Sequence, residues 1–118
     1  MEDYRDLIVW QKSMDLVKEI YLQTEKLPSC EMFGLTNQMR RAAVSIPSNI
    51  AEGYGRHSAN EYVRFLNIAR GSKNELETQL QICVMLGYLQ HEDALAASVL
   101  CKEVSRMINA LLKTITNK

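Results

Sequence analysis

Five of the chain's seven arginines, Arg40, Arg41, Arg56, Arg64 and Arg70, fall within residues 40–70. Arginine stays charged at physiological pH, and its planar guanidinium grips phosphate oxygens two at a time. That clustering suits contact with an RNA or DNA backbone, with an affinity that falls steeply as salt rises. The competing reading pairs the same guanidiniums with carboxylates, such as Asp15, Glu19 and Glu25 of a neighbouring copy's first helix. The charge distribution allows both. The 118-residue chain is neutral overall, yet residues 36–73 carry a net +4 between flanks of −3 (1–35) and −1 (74–118).

Other reactive side chains point to structure. Carboxylate di-iron bundles use Glu-x-x-His pairs, and neither His57 nor His91 follows a glutamate at that spacing. No metal ligand set and no cofactor are expected. Cys83 and Cys101 fall among apolar residues and read as core fillers, whereas Cys30 lies in a loop. Lys73 interrupts an apolar stripe; a pair with Glu77 at i,i+4, with its head snorkelling to water, is the ordinary solution. Tyr54 suits either stacking on a base or covering one end of the fold. No constellation of nucleophile, base and oxyanion donors emerges, so a non-enzymatic protein is expected.

Hydrophobic periodicity supplies the elements that position these groups, and it is helical throughout. The first helix carries Trp10, Met14, Val17, Tyr21 and Thr24 on one face, with Ile20 beside them, and ends before Pro28. The second places Leu35, Met39, Ala42, Ala43, Ile46 and Ile50 together, with Gly53 as its stop and a kink at Pro47. Along it Arg41, Ser45, Ser48 and Glu52 form a polar row, and Ala43, Val44, Pro47 and Ala51 form a small-residue face suited to close packing. That face is the candidate oligomer interface, with packing inside the chain as the alternative.

The third helix opens at Ser58 with Glu61 as a capping box. It runs to Leu86 through Tyr62, Phe65, Leu66, Ala69, Leu76, Leu80, Cys83 and Val84, and Gly87 follows. The fourth begins near Glu92–Asp93 and carries Leu95, Leu100, Val104, Met107, Ile108, Leu111 and Ile115. Short connections make neighbours antiparallel. The fold class is all-α, an antiparallel up-down four-helix bundle forming one domain over 1–118. Three cysteines without a C-x-x-C, an acidic N-terminus and no membrane-length apolar run lead us to expect a cytoplasmic protein without membrane contact.

Several pieces resemble a known family in matching order. They are Asp6-Leu7-Ile8-Val9-Trp10-Gln11-Lys12, Phe33-Gly34-Leu35, the run from Gln38 to Gly53, Arg56-His57-Ser58, Ala69-Arg70-Gly71-Ser72 and Glu75-Leu76-Glu77. Together they resemble the four-helix-bundle proteins encoded in 23S ribosomal RNA intervening sequences. That family is in turn similar to the accessory variability protein of diversity-generating retroelements. The resemblance implies a ring-shaped homo-oligomer, pentameric where the architecture is known. It further implies nucleic acid and a reverse-transcriptase-like protein as partners, although the basic relatives differ from this neutral chain. The expected function is thus a homo-oligomeric adaptor that binds nucleic acid through Arg40, Arg41, Arg56, Arg64 and Arg70. The alternative is a structural or protein-binding ring with no nucleic-acid ligand.

Overall fold

In the computed structural model, which describes residues 3–116, four helices follow one another: α1 Ile8–Thr24, α2 Leu35–Tyr54, α3 Ala59–Met85 and α4 His91–Thr116. Single 3-10 turns at Tyr4–Asp6 and Ser29–Glu31 precede α1 and α2. The helices pack around a square in chain order, with α1 against α2 and α4, and α3 against α2 and α4. The backbones of the two diagonal pairs stay more than 8 Å apart, Cα to Cα, among the described residues. Contacts along α2 and α3 run in opposite senses: Gly53 lies at Phe65, Ser45 at Ser72 and Met39 at Cys83. The neighbours are therefore antiparallel, and the four-helix bundle expected from periodicity is the fold. It measures 46 × 24 × 21 Å.

The bundle axis is filled by Leu16, Ile20, Met39, Ile46, Ile50, Leu66, Leu76, Val104 and Ile108, all fully buried. Burying side chains of this size contributes about 1.5–3 kcal/mol each. The inward row of α1 is rotated by about one position from the face expected: Val9, Ser13, Leu16, Ile20 and Thr24 point to the core. Ser13 and Thr24 are admitted there because their hydroxyls donate back to the carbonyls of Trp10 (2.8 Å) and Ile20 (2.7 Å), leaving no unpaired donor. Trp10 and Val17 form a second, half-buried row beside exposed Met14 and Tyr21. In α4 the core takes Ala94, Ala97, Cys101, Val104 and Ile108, and Leu95 points outward instead.

Helix ends bring two further corrections. α2 continues through Gly53 and Pro47 to Tyr54, with Gly55 capping it in right-handed helical geometry. Gly53 is needed for proximity: a Cβ there would stand 2.8 Å from the Cβ of Phe65 and 3.1 Å from the Tyr62 ring. Ser58 does cap α3, accepting from the Glu61 amide at 3.1 Å, but the Glu61 carboxylate turns to Arg64. The expected box is thus half formed. Gly87 fulfils the expected stop after α3, with φ at +79°.

Candidate functional site

The arginine band divides when its partners are traced. Arg40 bridges α2 to α1: its Nε donates to Thr24 Oγ1 at 2.9 Å, and the guanidinium lies 4.5 Å from the centre of the Tyr21 ring. Arg70 bridges α3 to α4, donating to Asn109 Oδ1 at 3.0 Å and to Asn67 Oδ1 at 2.8 Å. At the α2–α3 junction Arg56 and Arg64 both lie against the Phe65 ring, at 4.9 and 4.6 Å. Arg56 pairs with Glu52 at 3.0 Å, and Arg64 with Glu61 at 2.9 Å. The Arg64 hydrogen bond and charge hold the Glu61 carboxyl below its ordinary range. Two carboxylates thus neutralise the two junction arginines. Arg41 alone of the five is exposed on the outer crest of α2 with no partner among the described residues.

The polar row beside Arg41 serves the bundle. Asn49 donates to the Ser45 carbonyl (2.8 Å) and hydroxyl (2.9 Å), and the Ser45 hydroxyl lies 2.9 Å from that of Ser72 on α3. Tyr54 stands edge-on to Tyr62, with ring centres 6.2 Å apart. Lys73 pairs with Glu77 at 2.9 Å as expected, and the residue, 6% exposed, meets solvent where it lines a groove between α3 and α4. Cys83 and Cys101 are fully buried, which pushes their thiols up to about 11 and about 12, while Cys30 is exposed. The buried thiols stay protonated at neutral pH and are poor nucleophiles.

Of the four small residues expected at a subunit interface, Ala43 and Pro47 are buried in the chain's own packing. Val44 is exposed and Ala51 half-buried, and both line a groove of about 400 Å³ between α1 and α2 with Trp10, Met14 and Val17. On the opposite side of the square, a groove of about 730 Å³ between α3 and α4 is lined by Met85 and Leu95, both exposed. It is continued by a second of about 440 Å³ lined by Lys73, Glu77, Val99, Lys102, Ser105 and Arg106. Sequence reading missed Leu95, Val99, Lys102 and Arg106 as surface features. Their signal is spacing: Leu95, Val99, Lys102 and Arg106 recur at four, three and four residues, an outward row that begins apolar and ends basic.

Fold and surfaces define a class, a small antiparallel four-helix bundle whose chemistry is displayed on its sides. The chain belongs to the family of 23S rRNA-intervening sequence proteins, whose family model matches residues 5–110. A similar solved structure is the crystal structure of a protein of unknown function from the S23 ribosomal protein family of Bacteroides thetaiotaomicron. It matches with a TM-score of 0.83 at 24% identity, over 90% of this chain and 99% of that one, a likeness of fold. No curated protein matches the chain. Among the described residues no helix is long and apolar enough to cross a membrane.

Proposed function

We propose that the protein is a non-enzymatic, self-assembling helical adaptor: a ring in which the α1/α2 side of one copy packs on the α3/α4 side of the next. The observation that carries this reading is the pair of apolar strips on opposite sides of the bundle. Met14 and Val44 are 43% and 41% exposed on one; Leu95 and Val99 are 53% and 48% exposed on the other. A solvated helix face would be polar at such positions. Two different complementary patches make a head-to-tail contact, and such contacts close into rings when the rotation permits. Closure also needs the patches at matching heights. α2 and α4 start at the same end of the bundle, and Val44 and Val99 lie about 14 and about 12 Å along them at 1.5 Å per residue. Five copies is the number the family resemblance implies. The engaged arginines support this protein-binding reading over a nucleic-acid band at Arg40, Arg56, Arg64 and Arg70, because a phosphate would have to displace partners already in place.

Sedimentation velocity at micromolar protein tests it. The wild type should be a closed oligomer, and Val44→Glu and Val99→Glu should each be a folded monomer. Mixing the two variants should give a dimer and nothing larger, since one intact contact remains between them. A monomeric wild type, or a variant that still self-associates, sinks the head-to-tail ring.

A further inference from the structure

Two cations without partners among the described residues, Lys102 and Arg106, lie away from the arginine band, at the basic end of the α3/α4 groove. Lys73 forms part of its lining, and its buried ammonium has three protons to donate. One goes to Glu77 Oε1 at 2.9 Å, and the others meet no acceptor among the described residues. Lys102, Ser105 and Arg106 line the same groove from successive turns of α4. Neither cation makes an ion pair or hydrogen bond among the described residues. Burying an ammonium against a single carboxylate is unfavourable when the same i,i+4 pair could form in water. A ligand of opposite sign entering the groove removes that cost.

We propose that this end of the groove is an anion site for a phosphate group, held by Lys73, Lys102, Arg106 and Ser105. The charge fits. Three cations against Glu77 leave a net +2, which one phosphate monoester, at about −1.5 to −2, neutralises and which two adjacent phosphodiesters of a nucleic-acid backbone match. Arg106 supplies a planar fork and Lys102 a mobile point charge, two complementary donors to phosphate oxygens. With about 440 Å³ the groove holds the phosphate together with part of whatever bears it. The site adjoins the proposed ring contact, since Val99 lines both, but it rests on a different observation: unpaired cations rather than apolar strips.

The test uses the full chain in its native oligomeric state, with sedimentation run on every variant. Inorganic phosphate in a chloride background, and separately an RNA oligonucleotide without terminal phosphates, are titrated by calorimetry. Saturable binding of either probe, weakened at least tenfold by Lys102→Gln/Arg106→Gln and unchanged by Arg41→Gln, supports the site. Phosphate alone identifies a terminal or free phosphate as ligand, and RNA alone identifies a backbone phosphodiester. No binding of either probe overturns the proposal. So does RNA binding that the double variant leaves intact, since the contacts then lie elsewhere. If Lys102→Glu/Arg106→Glu dissociates the oligomer and the wild type ignores both probes, a neighbour's carboxylate fills the groove and the phosphate site is refuted.

Discussion

Two alanine substitutions at helical glycines should move stability in opposite directions. Gly53 and Gly71 both lie inside helices, so replacing either by alanine gains about 0.8–1 kcal/mol of helix propensity. At Gly71 the gain stands alone, because a Cβ there meets nothing within 4 Å. At Gly53 the new carbon would stand 2.8 Å from Phe65 Cβ, an atom fixed to the α3 backbone, and 3.1 Å from the Tyr62 ring. Rotamer changes cannot clear such a contact; α2 and α3 must part. Overpacking of this kind costs about 1–3 kcal/mol. With the contact this close we take the upper half of that range, leaving a net loss of about 1–2 kcal/mol after the propensity gain. An unfolding entropy of about 2.1 cal/mol/K per residue gives this chain roughly 4 °C per kcal/mol. Gly53→Ala should therefore lower Tm by about 4–8 °C and Gly71→Ala raise it by about 3–4 °C. Circular dichroism melts at one fixed protein concentration are the assay, because Tm depends on concentration for any chain that self-associates. A Gly53→Ala protein as stable as wild type would refute the close-approach argument.

Two further outcomes follow from the titrating groups. With Ellman's reagent at pH 8 the native protein should release one equivalent quickly, from Cys30, and two more only in denaturant, because burial holds Cys83 and Cys101 protonated at that pH; a second fast thiol would contradict the packing of α3 on α4. Asp93 is held below its ordinary range by the Gln90 amide and Lys26, and Glu61 by Arg64. Because both are depressed in the folded state, their stabilisation is present above the ordinary carboxylate range and lost as pH falls through the folded values. Melts from pH 6 to 2 should show a shallower acid limb in Glu61→Gln/Asp93→Asn than in wild type, and superimposable limbs would count against these contacts.

Helix number, order and approximate ends were legible in the sequence, because each helix carries enough apolar residues at helical spacing. The Gly87 stop was legible too, since a glycine after an apolar helix end is a local signal. Gly53 looked like the same signal but answers to Phe65 and Tyr62 across the α2–α3 contact, which no local pattern records. The α1 face was misplaced because Trp10, Met14 and Tyr21 outweigh Ser13 in any hydrophobicity reading. Hydroxyls that bond their own helix backbone are cheap to bury, and that tips the helix by one position. The arginine band was visible as composition alone. Whether a guanidinium is free depends on what lies opposite, and for Arg40 and Arg70 that is a residue of another helix.

Local charge, not net charge, decides what this neutral chain can hold. Fourteen cations balance fourteen carboxylates in the sequence, but pairing consumes them unevenly. The α2–α3 junction pairs its arginines with Glu52 and Glu61, whereas the α3/α4 groove sets Lys73, Lys102 and Arg106 against Glu77. A field set by that surplus acts over about a Debye length, roughly 8 Å at physiological salt, so distant acids on α1 do little to cancel it. Assembly would change the scale of the effect. A ring repeats each groove once per copy, and a polyanion spanning several of them binds with the avidity of linked sites. The apolar strips and the basic groove would then form one design, in which the first determines how many of the second a single partner meets.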